Sequence, residues 1–303
     1  MRRRANSQFA SLQVLALALL IVAQATSAQP RSFAKKVLSP RVLEQTFHSK
    51  ALDREMHYMI VLPADYGSSR KRYPVLYLLH GWAGDFKNWV TLTNLVDDSQ
   101  SYPMIIVTPD AQNSWYVNSA MIEKDRFEDY IADDLIREID GHWRTIASPH
   151  RRAIAGLSMG GYGSLLFGLK HADFFSVAGS ASSALDGPAG VEQVMPVLRE
   201  STDRAYGAAE SATRTANNIF SLAEKAESSK LPYLFVECGA QDPFLPSNRK
   251  FVNDLSQKHI PYEYHEYPGA HNWEFWDSSL PLMLEVIAAR IVPKTPRTVP
   301  KTQ

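Results

Sequence analysis

Ser158 stands at the centre of Gly156-Leu157-Ser158-Met159-Gly160, a G-x-S-x-G pattern followed by a further glycine, Gly161. A serine hydroxyl is a weak nucleophile until a neighbouring base takes its proton and a third group orients that base. The flanks of the pattern suit such a serine. Arg152-Ala153-Ile154-Ala155 is a short apolar run of strand type, and Tyr162 to Lys170 can continue as a helix. On a tight strand-to-helix turn the serine backbone is strained and the hydroxyl is pushed out toward substrate. Gly156 and Gly160 lie two residues to either side, where a Cβ would crowd the turn.

The partners of a nucleophile on this kind of turn follow it in the chain, acid first and histidine last. His259, His265 and His271 come late enough. His259 falls at the polar end of a helix, and His265 sits inside the strand-like run Tyr262 to Tyr267. His271 lies in the loop Pro268-Gly269-Ala270-His271-Asn272-Trp273, from which an imidazole can reach the turn, and is the expected base. Asp242 follows the apolar run Tyr233 to Val236 through a short loop and is the expected acid. Its competing reading is a turn or helix-cap aspartate before Pro243, and Glu237 and Asp254 are the other carboxylates in range. Acyl transfer also needs donors for the oxyanion. The backbone N–H of Met159 is expected to be one. The loop after the strand ending at Leu79 should give the second, and Trp82 N–H is the choice there. His80 precedes the serine and reads as a loop-packing residue.

These groups need a scaffold that brings distant loops together. Val75 to Leu79 and Met104 to Thr108 are continuous apolar runs of the kind that form strands buried on both faces. Two strands are expected within Leu43 to Leu62, and further strands at Phe174–Ser180, Leu231–Glu237 and Tyr262–Tyr267. Helices are expected at Phe127–Trp143, where the apolar residues fall largely on one face, and at Ser247–His259 and Trp273–Ile291. The alternation implies an α/β fold, a mainly parallel sheet with helices on both faces. From 183 to 230 the sequence turns small, polar and weakly helical. It reads either as a helical lid over the sheet's carboxyl edge or as an ordinary long connection.

Composition narrows the function classes. The 303 residues are 45% hydrophobic, and Lys+Arg and Asp+Glu both number 32, so nothing points to a nucleic-acid partner. Arg2 to Arg4, the apolar Leu12 to Val22 and small residues to Ala28 predict a signal peptide over 1–28 and a secreted or periplasmic protein. The apolar run is too short for a stable span, which needs about 20 residues. Residues 29–41 read as a linker, 42–292 as the catalytic domain and 293–303 as a disordered tail. The single cysteine, Cys238, cannot form an internal disulfide and reads as a buried thiol. No metal is expected, because His265-Glu266 and His271 lack the H-E-x-x-H spacing, and no cofactor, because there is no phosphate-binding G-x-x-x-x-G-K loop.

Together, Leu79-His80-Gly81-Trp82 with Trp89, Asn113-Ser114-Trp115-Tyr116, Gly156 to Gly163, Cys238-Gly239 with Asp242, and Gly269 with His271, Trp273 and Trp276 resemble the Putative esterase family. That family includes esterase D (S-formylglutathione hydrolase), tributyrin, feruloyl and acetylxylan esterases, and mycolyltransferases. The resemblance runs from about residue 45 to 290. It implies an α/β-hydrolase fold and a cofactor-free serine carboxylesterase, with Ser158 as nucleophile, Asp242 as acid, His271 as base, and Trp82 and Met159 as oxyanion donors. The substrate would be a small-molecule, carbohydrate or lipid ester. Trp89, Trp115, Tyr116 and Trp273, with Trp276, could wall an acyl or sugar group or could simply pack. An acyltransferase with the same residues, or a non-catalytic binding module on this scaffold, are the rival readings.

Overall fold

Val75, Tyr77 and Leu79 point to one side of a sheet and Leu76 and Leu78 to the other, all fully buried. A strand apolar on both faces needs cover on both sides, and this requirement organises the molecule. The computed structural model describes residues 39–293. They contain an eight-stranded sheet in the order β1-β2-β4-β3-β5-β6-β7-β8. The strands are β1 (Val42–Ser49), β2 (Arg54–Val61), β3 (Val75–Leu79), β4 (Ile105–Pro109), β5 (Arg152–Leu157), β6 (Val177–Ala181), β7 (Tyr233–Gly239) and β8 (Tyr262–Tyr267). β2 runs antiparallel to both its neighbours, and every pairing from β4 to β8 is parallel.

One face packs on the helical run Phe127–His142, the helix Met159–Lys170 and the helix Leu245–Gln257. The other packs on the helix Asn88–Leu92 and the last helix, Trp273–Ile291, through residues such as Val90, Leu280, Met283, Leu284 and Ile287. The chain leaves β3 for β4 on one side and returns to β5 on the other. The crevice at the carboxyl ends of β3 and β5 is therefore the topological switch point at which open α/β sheets bind ligands. Ser158 follows β5 and Trp82 follows β3, so both lie at this crevice.

Three local expectations change. The strand expected from Phe174 starts only at Val177, because Ala172–Phe174 forms a 3-10 turn that leaves Phe174 exposed. The helix expected over Phe127–Trp143 carries a π-helical turn at Tyr130–Leu135. From there Asp134 Oδ2 accepts from Ser49 Oγ (2.7 Å) and Ala51 N (2.8 Å), clamping the turn that follows β1. Residues 183–230 form several short helices, among them Gly187–Val194, Arg199–Tyr206, Ala212–Ala216 and Ile219–Lys225. Val191, Leu198, Tyr206 and Ile219 bury them against the same core as the helix after Ser158. The expected signal peptide lies outside the described residues, as do most of the expected linker and nearly all of the expected tail.

Candidate active site

β5 ends at Leu157 and the next helix starts at Met159, leaving Ser158 alone on the turn at φ 53° and ψ −116°. A non-glycine residue there is strained, and the surroundings hold it in place. Ser158 N donates to Ala181 O (2.9 Å), and Ser158 O accepts from Tyr162 N (2.9 Å). A Cβ at Gly160 would stand 2.5 Å from the carbonyl oxygens of Leu79 and His80, so the helix can sit this close to β3 only with glycine there. At Gly81 a Cβ would come within 2.7 Å of Leu157 and 3.4 Å of the Ser158 side chain. The loop after β3 thus lies directly on the serine turn.

Two loops from the other half of the sheet meet the serine. Ala240 N donates to Tyr267 O (2.7 Å), Gln241 N to Gly269 O (2.8 Å) and Gly269 N to Gln241 Oε1 (2.8 Å), zipping the loop after β7 to the loop after β8. This brings Asp242 to His271. Asp242 Oδ1 accepts from Phe244 N (2.8 Å), the turn role weighed from sequence, and Oδ2 is left for His271 Nδ1 at 2.8 Å. His271 Nε2 lies 2.9 Å from Ser158 Oγ. Asp242 is fully buried, and the His271 ring is held edge-on between Phe244 (5.1 Å) and Trp276 (4.9 Å). With Nδ1–H donated to the carboxylate, Nε2 is the free base facing the hydroxyl.

The other candidates have different work. Asp254 pairs with Lys250 on its own helix (2.6 Å). Glu237 is wholly buried and accepts from Ser279 Oγ (2.6 Å), and burial pushes its carboxyl up to about 8. His265 bonds Glu263 on β8 (2.9 Å), and His259 lies beyond the end of Leu245–Gln257. Burial also pushes the Cys238 thiol well up.

Met159 heads its helix, so its N–H has no intrahelical acceptor. Trp82 stands across the cleft on the loop after β3. His80 turns out to anchor that loop. Its Nε2 accepts from Ala111 N (3.0 Å), which leaves the proton on Nδ1 to donate to Gly81 O (2.8 Å). The His80 carbonyl accepts from Tyr116 Oη (2.9 Å).

The cleft is about 330 Å³, and Trp115, Trp273, Trp276, Met195 and Leu198 are among its lining residues. Trp115, itself almost wholly buried, and Trp273 line it, whereas Trp89 and Tyr116 do not. Both are fully buried behind the wall. Trp89 Nε1 donates to Leu79 O (3.0 Å) and its ring meets Trp273 edge-on, while Tyr116 is spent on His80 and packs on Gly163. Met195 and Leu198 enter from the 183–230 segment, where no periodicity marked them. Among the described residues no group of three or more His, Cys, Asp or Glu could hold a metal ion, and no helix is long and apolar enough to cross a membrane.

The family profile described as Putative esterase matches residues 49–287. An acetyl esterase of Caldicellulosiruptor saccharolyticus is 28% identical over 254 residues, covering 78% of this chain and 94% of its own length. An esterase of Mycobacterium tuberculosis is 31% identical over 284 residues, covering 84% of this chain and 60% of its own. Among solved structures, a ferulic acid esterase superposes with a TM-score of 0.69 at 26% identity, over 82% of this chain and 98% of its own. A substrate-bound fluorophosphonate-binding serine hydrolase of Staphylococcus aureus reaches 0.74 at 24% identity with the same coverage.

Proposed function

Since the chain belongs to the Putative esterase family and is a carboxylic ester hydrolase, we propose that it works through a serine acyl-enzyme. His271 Nε2 takes the Ser158 proton as Oγ attacks the ester carbonyl carbon, and Asp242 orients the ring and stabilises the imidazolium that forms. The N–H groups of Trp82 and Met159 receive the oxyanion. The tetrahedral intermediate collapses when His271 returns the proton to the leaving alcohol. A water, activated by the same nitrogen, then frees the acid and restores Ser158. The observation that carries this reading is the unbroken chain Ser158 Oγ, His271 Nε2, His271 Nδ1, Asp242 Oδ2, with links of 2.9 and 2.8 Å.

The purified protein should hydrolyse short p-nitrophenyl esters, acetate first in view of the acetyl esterase relative. Ser158→Ala should lower kcat at least about 10³-fold with the fold intact by circular dichroism. Full activity in that variant would refute the route. Product analysis with and without an acceptor alcohol measures how much acyl group goes to water and how much to a second hydroxyl. Export is part of the reading, on the basic, apolar and small-residue order of residues 1–28. Fractionation with N-terminal sequencing tests it, and full-length protein retained in the cytoplasm would contradict it.

A further inference from the structure

Asn248 is wholly buried on the first turn of the Leu245–Gln257 helix. Its Nδ2 donates to two backbone carbonyls, Ser183 O (2.8 Å) and Phe244 O (2.8 Å). Two acceptors on one side fix which end of the amide faces them. The other end, Oδ1, is buried with no partner among the described residues. A buried oxygen left unpaired carries a cost that a leucine of similar volume would not incur. The use of this amide must therefore lie in its donor end. The bond to Phe244 is local, one turn back on the helix, and that carbonyl also accepts from Ser247 Oγ (2.9 Å) and Asn248 N (3.1 Å). The bond to Ser183 joins residues 65 positions apart, and the other bond to that carbonyl comes from Leu185 N (3.1 Å) in its own loop.

The two carbonyls belong to the two halves of the site. Ser183 lies in the loop after β6, which grips the backbone of Ser158 from both ends. Ala181 O accepts from Ser158 N (2.9 Å), and Ala184 N donates to Ser158 O (3.4 Å). Ser183 stands between these contacts, fully buried, with its hydroxyl bonded to that of Ser180. A Cβ at Gly161 would collide with the same hydroxyl, so the loop lies flat on the helix that follows the nucleophile. Phe244 serves the acid and the base. Its N–H donates to Asp242 Oδ1 (2.8 Å), and its ring packs edge-on against His271 (5.1 Å). One amide therefore ties the brace on Ser158 to the residue that seats Asp242 and His271. The tie matters because Ser158 stands at φ 53°, a conformation that lasts only while its surroundings enforce it. A misplacement of about 1 Å at reacting atoms can cost about 10²-fold in rate. Asn248 is not among the residues lining the cleft, and it acts through Ser183 and Phe244.

We propose that Asn248 is a positioning residue for the reaction, holding the turn that carries Ser158 in line with His271 and Asp242. The proposal rests on the serine route above. Asn248→Leu removes the donor and keeps the volume, and Asn248→Ala removes both, so a loss common to the two belongs to the donor. Leu255→Ala, two turns farther along the same helix, opens a cavity in the core and serves as the stability control. Activity on p-nitrophenyl acetate is normalised to the folded fraction read by circular dichroism. In both Asn248 variants kcat should fall about tenfold or more with KM nearly unchanged. The rate constant for labelling by a fluorophosphonate, in which Ser158 Oγ displaces fluoride from phosphorus, should fall by a similar factor. That rate reports the reactivity of the serine and not the fit of an ester. Leu255→Ala should lower Tm and keep both constants. Wild-type constants in either Asn248 variant, a loss through KM alone, or an equal loss in Leu255→Ala would overturn the proposal and leave the serine route standing. If the leucine variant has no folded fraction, the alanine variant decides by the same two constants. A wild-type protein that takes no label would overturn the route and the proposal with it.

Discussion

Ser158 and His80 act on the same small volume in different ways. The serine sits at positive φ because the turn is locked from both sides, and its hydroxyl meets His271 as a result. His80 touches neither, yet its ring and carbonyl fix the loop that presents Trp82 N–H. Replacing His80 by Ala leaves the buried Ala111 N–H unpaired and loosens the loop that carries Trp82, the proposed oxyanion donor. We expect kcat to fall about tenfold or more with little change in KM, read from steady-state kinetics. Loss through KM alone would show that the loop positions substrate and not the oxyanion. Gly160→Ala tests the close approach of helix and strand. Its Cβ meets two backbone oxygens at 2.5 Å, and a drop of about 1–3 kcal/mol in unfolding free energy should follow in urea titrations. A thiol reagent should leave native Cys238 unmodified at neutral pH, since burial keeps it protonated and covered.

At the scale of elements, the cleft is an agreement between loops from opposite halves of the sheet. The loops after β7 and β8 are zipped to each other by hydrogen bonds, which hold Asp242 beside His271. The 183–230 helices are fastened elsewhere. Tyr162 Oη donates to Asn217 O (2.8 Å) and Lys170 Nζ to Asn217 Oδ1 (2.8 Å), binding the segment to the helix after the serine. Arg204 binds it to Asp125 on the loop after β4. Asp125→Ala removes the carboxylate between two guanidinium groups, those of Arg54 and Arg204, and should free the Arg199–Tyr206 helix. Limited proteolysis should then cut within 183–230 well before the wild type is cut there. An unchanged digestion pattern would show that apolar packing alone holds the segment.

For the whole molecule the sheet is the source of both stability and a pH dependence. Glu237 points from β7 into the apolar layer under the last helix, where only Ser279 bonds it and Oε2 has no partner. Its ordinary value near 4.5 is raised to about 8 by burial. The folded chain therefore holds a proton that the unfolded chain releases above about pH 4.5. The contribution to stability is full below that pH, is lost progressively as pH rises toward 8, and levels off beyond. Glu237→Gln, neutral at every pH, should flatten this slope. Tm measured from pH 5 to 9 checks it, and parallel curves for wild type and variant would exclude Glu237 as the source.

Much of this could be read from residue order. Runs such as Val75 to Leu79 specified buried strands because a five-residue segment apolar on both faces has few other stable places. The G-x-S-x-G turn was legible because its glycines answer to local sterics, and the meeting of Asp242 and His271 with it because both sit just past strand ends at the same edge of the sheet. The π-helical turn at Tyr130–Leu135 was not legible, since its Asp134 answers to Ser49 and Ala51 far away in the chain, and the short start of β6 was not, since the 3-10 turn at Ala172–Phe174 leaves no mark in the apolar pattern. Trp89 and Tyr116 look like their cleft-lining counterparts in sequence, and only packing separates a wall from its backing. The same holds for His80, Met195 and Leu198, whose roles are set by what other loops place beside them. By itself, then, the sequence determined the parallel sheet and the residues with the chemistry to react, through hydrophobic periodicity and turn sterics. Tertiary structure alone decided the hydrogen-bonded approach of Ser158, His271 and Asp242 and the shape of the cleft. Those depend on side chains 29 and 113 positions apart meeting within 3 Å.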